Sequence, residues 1–216
     1  MKYKIVIFDL DGTLLDTLQD LADSTNFALS YFGYPKRSVS EVRRFVGNGV
    51  KKLIERALPE GVPTADIERV LDIFKAHYAK HCGDHTAPYT GIIPLLDRLA
   101  EAGVPIAVVS NKIDSAVQTL CKKYFGERVP ISIGERDGIR KKPYPDSVLE
   151  VLSKTGFSPA DTVYIGDSEV DILTAKNAGT GLICVTWGFR DKDFLRESGA
   201  NIFADSSEQL EEILLG

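Results

Sequence analysis

The first apolar run of the sequence ends in two aspartates whose spacing could support chemistry. In the segment IVIFDLDGT, Asp9 follows Phe8 directly and Asp11 comes two residues later. Residues i and i+2 of an extended chain point to the same side, so both carboxylates face one site. Close carboxylates raise each other's pKa unless a cation neutralises them. The spacing therefore indicates a cation site or a reaction that uses carboxylates.

Polar residues also follow two later apolar runs. Ser110 and Asn111 come after IAVV, and Asp167 comes after VYIG, with Asp171 four residues further on. Lys142 lies between those runs in the proline-containing segment KKPYPD. Taken singly, such residues are commonly turn or helix-cap residues. Ligands of parallel α/β sheets bind at the carboxyl ends of the strands. The joint occurrence of these polar residues at predicted strand ends therefore favours a single site.

The residue types at this site suit phosphate chemistry with Mg²⁺. The set is rich in carboxylates and contains no His or Cys, which favours Mg²⁺ over zinc. A carboxylate can attack phosphorus to form an aspartyl-phosphate, a reaction that needs mainly positioning and charge neutralisation. Ser110 and the backbone N–H groups that follow it, at a helix N-terminus, can hold the phosphate. Lys142 can offset charge on the nucleophile and on the transferred group.

Five short, mostly β-branched apolar runs predict the buried strands of a parallel sheet covered on both faces. They are Lys4–Phe8, Val104–Val109, Ile131–Ile133, Thr162–Ile165 and Leu182–Thr186. Helical patterns lie between most of them and at the end of the chain, at Gly91–Ala102, Asp114–Tyr124, Pro145–Thr155, Asp171–Ala178 and Ser207–Leu214. This alternation predicts a doubly wound α/β fold.

A long gap separates the first predicted strand from the second. One crossover helix would suffice there. The gap instead contains four helical patterns, Leu18–Phe32, Val39–Phe45, Val50–Leu58 and Ala65–His81. We therefore predict a small helical domain, residues 16–86, inserted after the first strand, with residues 1–15 and 87–216 forming the α/β domain. Such an insertion would lie over the site at the end of that strand.

The composition of the 216 residues disfavours several classes of protein. The 26 Lys and Arg residues are outnumbered by 31 Asp and Glu, and this formal charge of −5 disfavours binding to nucleic acid or anionic membranes. The apolar runs are far shorter than the roughly 20 residues of a membrane span. Three scattered cysteines, Cys82, Cys121 and Cys184, are typical of a reducing compartment. We expect a cytoplasmic monomer or homodimer that acts on a small molecule, with no nucleic-acid or membrane partner.

Four segments together resemble the motifs of the haloacid dehalogenase (HAD) superfamily. They are DLDGT from Asp9, Ser110-Asn111, Lys142-Pro143, and GDSEVD ending at Asp171. Within the superfamily the chain is most similar to phosphoglycolate phosphatases, because VRRFVGNGV (residues 42–50) and KKPYPD (residues 141–146) are close to the pattern of that subgroup. The resemblance implies a Rossmann-like parallel sheet, the HAD core, with a helical type 1 cap that closes over the substrate.

The resemblance also implies a role for each motif residue. Asp9 would be the nucleophile and a Mg²⁺ ligand, and Asp11 would be the general acid and base, with its main-chain carbonyl also on the metal. Asp167 would be the third protein ligand. Asp171 would belong to the metal site by supporting the metal's waters or the catalytic Lys142. The residues that bind the substrate's phosphate would be Thr13, Ser110 and Asn111.

The predicted function is a Mg²⁺-dependent phosphatase that hydrolyses a small phosphomonoester through an aspartyl-phosphate, with 2-phosphoglycolate as the favoured substrate. Two alternatives stay open: a phosphosugar mutase of the β-phosphoglucomutase type, and a HAD phosphatase for another small phosphate or pyrophosphate. A binding protein with a vestigial site is disfavoured, because binding alone would not need Asp11. The resemblance also implies that Asp11 separates this chain from dehalogenases, which lack a carboxylate there.

The turn Gly47-Asn48-Gly49 is the predicted contact between the insertion and the substrate's leaving group. It could present backbone N–H groups to a small carboxylate. Arg43 or Lys51 could add a cation. The alternative, that the turn only joins two helices, is equally compatible with the sequence.

A histidine series in the insertion has a metal interpretation and a structural one. His77, His81 and His85 fall at i, i+4 and i+8, a spacing that could suggest zinc. A Gly-Asp pair is expected to end the helix before His85, and histidines near a helix C-terminus interact favourably with its dipole. We therefore favour the structural interpretation.

The rim of the main site, or the packing beside it, would include two residues after the last strand, Trp187 and Arg190.

Overall fold

The structure is a computed structural model that describes residues 3–216. In chain order its strands are β1 (Ile5–Phe8), β2 (Leu15–Asp16), β3 (Ala87–Pro88), β4 (Ile106–Ile113), β5 (Ile131–Glu135), β6 (Thr162–Gly166), β7 (Gly181–Val185) and β8 (Phe203–Ala204). Its α-helices are α1 (Leu18–Tyr31), α2 (Val39–Phe45), α3 (Val50–Ala57), α4 (Thr64–His81), α5 (Ile92–Glu101), α6 (Asp114–Tyr124), α7 (Asp146–Thr155), α8 (Glu169–Ala178), α9 (Lys192–Glu197) and α10 (Ser207–Leu215).

Six of the strands form one parallel sheet in the order β5-β4-β1-β6-β7-β8. Successive residues of β1 pack on opposite faces: Val6 and Phe8 join the larger apolar cluster, whereas Ile5 and Ile7 join a smaller one. Residues of α5, α6 and α10 belong to the larger cluster, and residues of α7 and α8 belong to the smaller. Burial of both faces explains why these strands are continuously apolar. The predicted doubly wound α/β fold is confirmed.

The structure differs from the predicted elements in two places. β4 continues past Val109 to Ile113, and its register with β5 shifts between these residues. Ser110 and Asn111 therefore lie in an irregular strand end before α6 begins at Asp114, and the backbone that follows Ser110 belongs to β4 rather than to a helix N-terminus. β8 and α9 are absent from the predicted elements because two and six residues are too few to give a periodic pattern.

Helices α1–α4, residues 18–81, form the helical insertion. They match the four predicted helices to within one residue at each end. The chain leaves the sheet through β2 and returns through β3, and these strands pair antiparallel with Asp16 opposite Ala87. The predicted division into residues 16–86 and the flanking α/β domain falls at this pair, and it stays a prediction.

A buried aspartate ties the two ends of the helical insertion together. Asp20, in the first turn of α1, accepts hydrogen bonds from His85 N at 2.9 Å, Thr86 N at 2.9 Å and Thr86 Oγ1 at 2.7 Å. The start of the first helix is thus bound to the segment that re-enters the sheet. This contact helps to fix the helical insertion at the edge where β1 ends.

The structure can be compared with two expectations from the composition, one about membrane-spanning segments and one about the cysteines. Among residues 3–216, no helix has the length and apolar character needed to cross a membrane. Cys82, Cys121 and Cys184 are unpaired and buried, as expected of free thiols.

Candidate active site

The carboxyl ends of the neighbouring strands β4, β1 and β6 meet at a cleft between the sheet edge and the helical insertion. Asp9 and Asp11 follow β1, Asp167 follows β6, and Ser110 and Asn111 belong to the end of β4. All five residues line the cleft. The structure therefore brings together the side chains that the strand ends predict.

Lys142 is the charged partner of Asp9. Its Nζ lies 2.9 Å from Asp9 Oδ1, 2.8 Å from Asp171 Oδ1 and 3.0 Å from the hydroxyl of Tyr164. Leu10 N also donates to Asp9 Oδ1, at 2.7 Å. Within residues 3–216, the contacts of the Asp9 carboxylate thus fall on Oδ1. This arrangement leaves Oδ2 as the available oxygen.

Burial controls the charge of these groups. It raises the pKa of Asp9 to about 7, against the opposing effect of Lys142. Burial, with Asp171 and Asp9 nearby, raises the pKa of Asp167 well above its usual range. Burial would lower the pKa of Lys142, but Asp171 and Asp9 raise it well above its ordinary value. Lys142 is therefore charged, whereas full ionisation of Asp9 and Asp167 at neutral pH calls for a further cation.

Asp167 is held from two loops. Thr13 Oγ1 donates to its Oδ1 at 3.1 Å, and Phe189 N donates to its Oδ2 at 2.7 Å. A Cβ atom at Gly12 would lie 2.3 Å from Asp167 Oδ2, and one at Gly188 would lie 2.4 Å from the same oxygen. Glycine at both positions lets the two loops close on the carboxylate. Thr13, predicted to bind substrate, is fully buried against Asp167.

Asp171 joins Lys142 to the first turn of α8. Its Oδ2 accepts from Ser168 Oγ at 2.6 Å, Ser168 N at 3.1 Å and Asp167 N at 3.2 Å. Its Oδ1 accepts from Lys142. One oxygen each of Asp9, Asp167 and Asp171 lie within 4.8 Å of one another, close enough to share a cation. Asp171 Oδ2 accepts three hydrogen bonds and its Oδ1 is paired with Lys142. Each Asp167 oxygen accepts one hydrogen bond, and the contacts of Asp9 fall on Oδ1, so more capacity for a cation is left at Asp9 and Asp167.

Asp11 is paired with a lysine that the motif pattern does not mark. Lys112 Nζ donates to Asp11 Oδ1 at 2.8 Å and also bonds the hydroxyl of Tyr78 on α4. Burial would lower the pKa of Lys112, but Asp11 and Tyr78 raise it above its ordinary value. In the sequence, the feature that could have identified Lys112 as a residue of the site is its position directly after Asn111. No local pattern distinguishes Tyr78 from the other apolar residues of its helix.

Asn111 connects three parts of the site. Its Nδ2 donates to Lys142 O at 3.0 Å and to Gly47 O of the helical insertion at 3.3 Å. Its Oδ1 is buried and has no hydrogen-bond partner within the described chain. This oxygen can accept a hydrogen bond from a ligand or water. Ser110 Oγ accepts from Lys112 N at 3.3 Å and faces the same cleft.

Two glycines of the predicted turn are among the residues with which the helical insertion lines the cleft. Gly47 and Gly49 line the cleft. The side chain of Asn48 is instead held within the insertion, where its Oδ1 accepts from Arg56 Nη2 at 2.7 Å. The backbone of the turn, rather than the Asn48 amide, is thus the part placed beside the site.

Two arginines connect the helical insertion to the loop after β7. Arg43 of α2 donates to Gly188 O at 3.0 Å. In the opposite direction, Arg190 donates to Arg43 O at 3.1 Å and Val46 O at 2.8 Å, and it pairs with Glu169 at 2.9 Å. Arg190 lines the cleft. Arg43, one of the two residues predicted to add a cation, and Arg190, predicted at the rim of the site, are therefore both engaged in holding the two parts of the molecule together.

Two other candidates make local contacts. Lys51 pairs with Glu68 at 2.6 Å on the surface of the helical insertion. Trp187 Nε1 donates to Thr13 O at 3.0 Å, beside the loop that follows β1. These contacts fit the surface interpretation of Lys51 and the packing interpretation of Trp187.

The histidine series does not stay on one helix face. The rings of His77 and His81 stack with centroids 4.3 Å apart, but α4 ends at His81, so His85 leaves the helix. His85 instead lies near Asp20 and Asp23, with one atom of each within 4.8 Å. Asp20 already accepts three hydrogen bonds from the returning chain. These contacts fit a structural role for the histidines.

The fold and the site together define a class of protein: an α/β enzyme with a carboxylate and lysine site at the carboxyl end of a parallel sheet. The family model described as haloacid dehalogenase-like hydrolase matches residues 6–185. The chain belongs to the haloacid dehalogenase-like hydrolases. This membership confirms the predicted superfamily.

Two relatives and one crystal structure show which kinds of phosphatase the chain is similar to. A phosphoglycolate phosphatase of Agrobacterium fabrum is 35% identical over 87% of this chain and 82% of its own length. An N-acetylmuramic acid 6-phosphate phosphatase of Pseudomonas aeruginosa is 30% identical over 99% of this chain and 96% of its own. A crystal structure from Lactobacillus delbrueckii subsp. bulgaricus, described as a candidate phosphoglycolate phosphatase, is 39% identical, has a TM-score of 0.95 and covers 100% of both chains. The predictions of an enzyme and of similarity to phosphoglycolate phosphatases are confirmed.

Proposed function

We propose that this protein is a Mg²⁺-dependent phosphomonoesterase that transfers the phosphoryl group of a small ester first to Asp9 and then to water. The observation that carries the proposal is the buried Lys142, 2.9 Å from Asp9 and 2.8 Å from Asp171, at the edge where Asp11 and Asp167 also lie. Membership of a hydrolase family with phosphatase relatives supports the same reaction.

Asp9 Oδ2 is the proposed nucleophile. Lys142 and the N–H of Leu10 hold Oδ1, which orients the carboxylate and leaves Oδ2 for attack. The new bond from Oδ2 to phosphorus forms as the bond to the ester oxygen breaks, giving an aspartyl-phosphate. The Lys142 ammonium offsets charge on the carboxylate and the transferred group. Ser110 is the proposed phosphate-binding side chain. Asn111 Nδ2 already donates to Lys142 O and Gly47 O, so Asn111, also predicted to bind phosphate, is proposed to hold the walls of the cleft together rather than to donate its amide to phosphate.

Asp11 is the proposed general acid and base. It lies in the same cleft as Asp9 and delivers a proton to the ester oxygen as that oxygen leaves. It then takes a proton from the water that attacks the aspartyl-phosphate. This second step releases inorganic phosphate and restores the Asp9 carboxylate.

The donor set of the site fits Mg²⁺. When ionised, the four aspartates carry four negative charges against the two positive charges of Lys112 and Lys142, an excess that one divalent cation neutralises. Asp9 and Asp167 would hold the ion, since oxygen ligands without His or Cys favour Mg²⁺. When bound, the ion would neutralise charge on the transferring phosphoryl group. Thr13 fixes Asp167 for this purpose and is proposed to act there rather than on substrate.

The proposed leaving group is small, with 2-phosphoglycolate as the first candidate substrate. Beside the apolar side chains Leu21, Val46, Val50 and Leu53, the helical insertion presents Gly47 and Gly49 to the cleft, and the backbone N–H groups of this turn are proposed to receive the carboxylate of the substrate. The relative from Agrobacterium fabrum supports phosphoglycolate. The relative named for N-acetylmuramic acid 6-phosphate makes a larger sugar phosphate the alternative to be tested beside it.

A phosphate-release assay on a panel of phosphoesters tests this function. We expect turnover of 2-phosphoglycolate with Mg²⁺, no turnover in EDTA, and recovery when Mg²⁺ is returned in excess. Asp9→Asn is expected to abolish turnover while the thermal unfolding temperature stays close to that of the wild type. Near-normal turnover of Asp9→Asn would contradict the covalent route, and full activity in EDTA would contradict the metal. Isomerisation of a sugar phosphate that requires a sugar bisphosphate would identify a mutase instead.

A further inference from the structure

We propose that Lys112 is a positioning residue for Asp11 and that Tyr78 of the helical insertion holds Lys112 in place. Proton transfer by Asp11 would then depend on the docking of α4 against the sheet edge. The inference rests on the proposed function, because that function assigns the proton transfers to Asp11.

The three side chains form a chain of contacts across the cleft. Asp11 belongs to the loop after β1, Lys112 to the end of β4, and Tyr78 to α4. Lys112 Nζ donates to Asp11 Oδ1 at 2.8 Å, bonds the Tyr78 hydroxyl, and lies 4.6 Å from the centroid of the Tyr78 ring. All three residues line the cleft. The helical insertion therefore reaches the proposed acid–base residue through one lysine.

Burial makes Lys112 dependent on both partners. The side chain of Lys112 is 2% exposed and that of Asp11 is 14% exposed. A desolvated ammonium that loses a partner becomes a poorly compensated buried charge, so Tyr78 and Asp11 together restrict the lysine to one position. A purely stabilising role would be served as well by a pair of apolar side chains. The placement of this pair in the cleft therefore favours a role in the reaction.

Lys142 provides an internal comparison. It also bonds a tyrosine hydroxyl and an aspartate, but Tyr164 belongs to β6 and Asp171 to α8. The lysine beside the proposed nucleophile is thus anchored by residues outside the helical insertion. The lysine beside the proposed acid–base residue is anchored by α4. Docking of the helical insertion should therefore affect the proton transfers more than the nucleophile.

Single-turnover experiments with enzyme in excess separate these effects. The alkoxide of 2-phosphoglycolate needs a proton as it leaves, whereas 4-nitrophenolate leaves 4-nitrophenyl phosphate without one. We expect Lys112→Met to slow the release of glycolate about 100-fold and Tyr78→Phe about tenfold, within the range of general acid catalysis. Release of 4-nitrophenolate should stay close to the wild-type rate in both variants. Tyr78→Phe keeps the buried ring and tests the inference even if Lys112→Met does not fold.

Three comparisons decide the outcome. Tyr31→Phe and Lys154→Met, whose residues are 66% exposed and 54% exposed at the side chain, should release both leaving groups at wild-type rates. The double variant of Tyr78 and Lys112 should be no slower than Lys112→Met, because Tyr78 acts through the lysine. Equal slowing of both leaving groups, or additive losses in the double variant, would overturn the positioning role.

Asp11→Asn separates this inference from the proposed function. A selective loss of glycolate release in Asp11→Asn, without one in Lys112→Met or Tyr78→Phe, would overturn only the positioning role. No selective loss in Asp11→Asn would overturn the proposed role of Asp11 itself. The same selective loss in all three variants would support both.

Discussion

The ionisation of one residue, Asp9, makes the stability of the protein and its expected Mg²⁺ affinity depend on pH. Burial raises the pKa of Asp9 to about 7, against the opposing effect of Lys142. The folded state therefore keeps a proton that the unfolded state loses, so the free energy of unfolding decreases as pH rises from 3.8 to about 7. A cation binds the ionised carboxylate and must displace this proton at low pH. Mg²⁺ affinity should accordingly fall about tenfold per pH unit once Asp9 is mainly protonated.

The rise in thermal unfolding temperature on adding Mg²⁺ measures this dependence. At one Mg²⁺ concentration we expect a larger rise at about pH 8 than at about pH 5.5, because Asp9 is ionised only at the higher pH. Sodium chloride at matched ionic strength is the control for screening. An equal rise at both pH values would contradict the assignment of Asp9 as a metal ligand.

Residues at this site could be predicted where sheet topology alone fixes their position. Asp9, Asp11 and Asp167 follow neighbouring parallel strands, so their meeting follows from the strand order. The pairing of Lys112 with Tyr78 could not be predicted, because it depends on how a helix of the insertion docks. The same holds for Asn48, whose side chain bonds within the insertion rather than facing the cleft.

At the scale of elements, the loop after β7 closes on the loop after β1 at a glycine. A Cβ atom at Gly188 would lie 2.4 Å from both Asp167 Oδ2 and Gly12 O, closer than atoms can approach. We expect Gly188→Ala to displace Asp167 and to lower Mg²⁺ affinity and activity by about 10- to 100-fold, as losses of support around metal ligands do. Mg²⁺ titration of phosphatase activity measures both.

The control for this loop is a glycine whose new side chain meets only flexible atoms. A Cβ atom at Gly83 would lie 2.9 Å from Lys123 Nζ, the mobile end of a long side chain. Gly83→Ala should therefore keep the wild-type Mg²⁺ response. If Gly188→Ala also kept the wild-type Mg²⁺ response, the loop after β7 would not be what positions Asp167.

The elements themselves could be predicted wherever burial imposes a long pattern. Continuous apolar runs identified five of the six sheet strands, and 3.6-residue periodicity identified the helices of the insertion. The extension of β4 to Ile113 could not be predicted, because it depends on pairing with Glu135 of β5 after a shift in register. That tertiary contact is what places Lys112 in a strand beside Asp11.

At the scale of the whole molecule, the helical insertion and the α/β part share one large apolar cluster and exchange arginine contacts. Arg190 binds the carbonyls of Arg43 and Val46 at the C-terminal end of α2, where a helix leaves its own carbonyls unpaired. Arg43 binds Gly188 O in return. The position of α2, and of the glycine turn that follows it, thus depends on a residue outside the insertion.

Arg190→Met is expected to loosen this docking. The variant loses both hydrogen bonds from Arg190 to the helical insertion, each contributing about 1.5 kcal/mol because the donor is charged. Amide exchange in residues 39–50 should therefore rise by about tenfold or more. Hydrogen-exchange mass spectrometry of the substrate-free protein measures the change. Arg44→Met, at an exposed position of the same helix, should exchange as the wild type does. Unchanged exchange in Arg190→Met would mean that the apolar cluster alone docks the helical insertion, and the arginine contacts would then have no part in presenting Gly47 and Gly49 to the cleft.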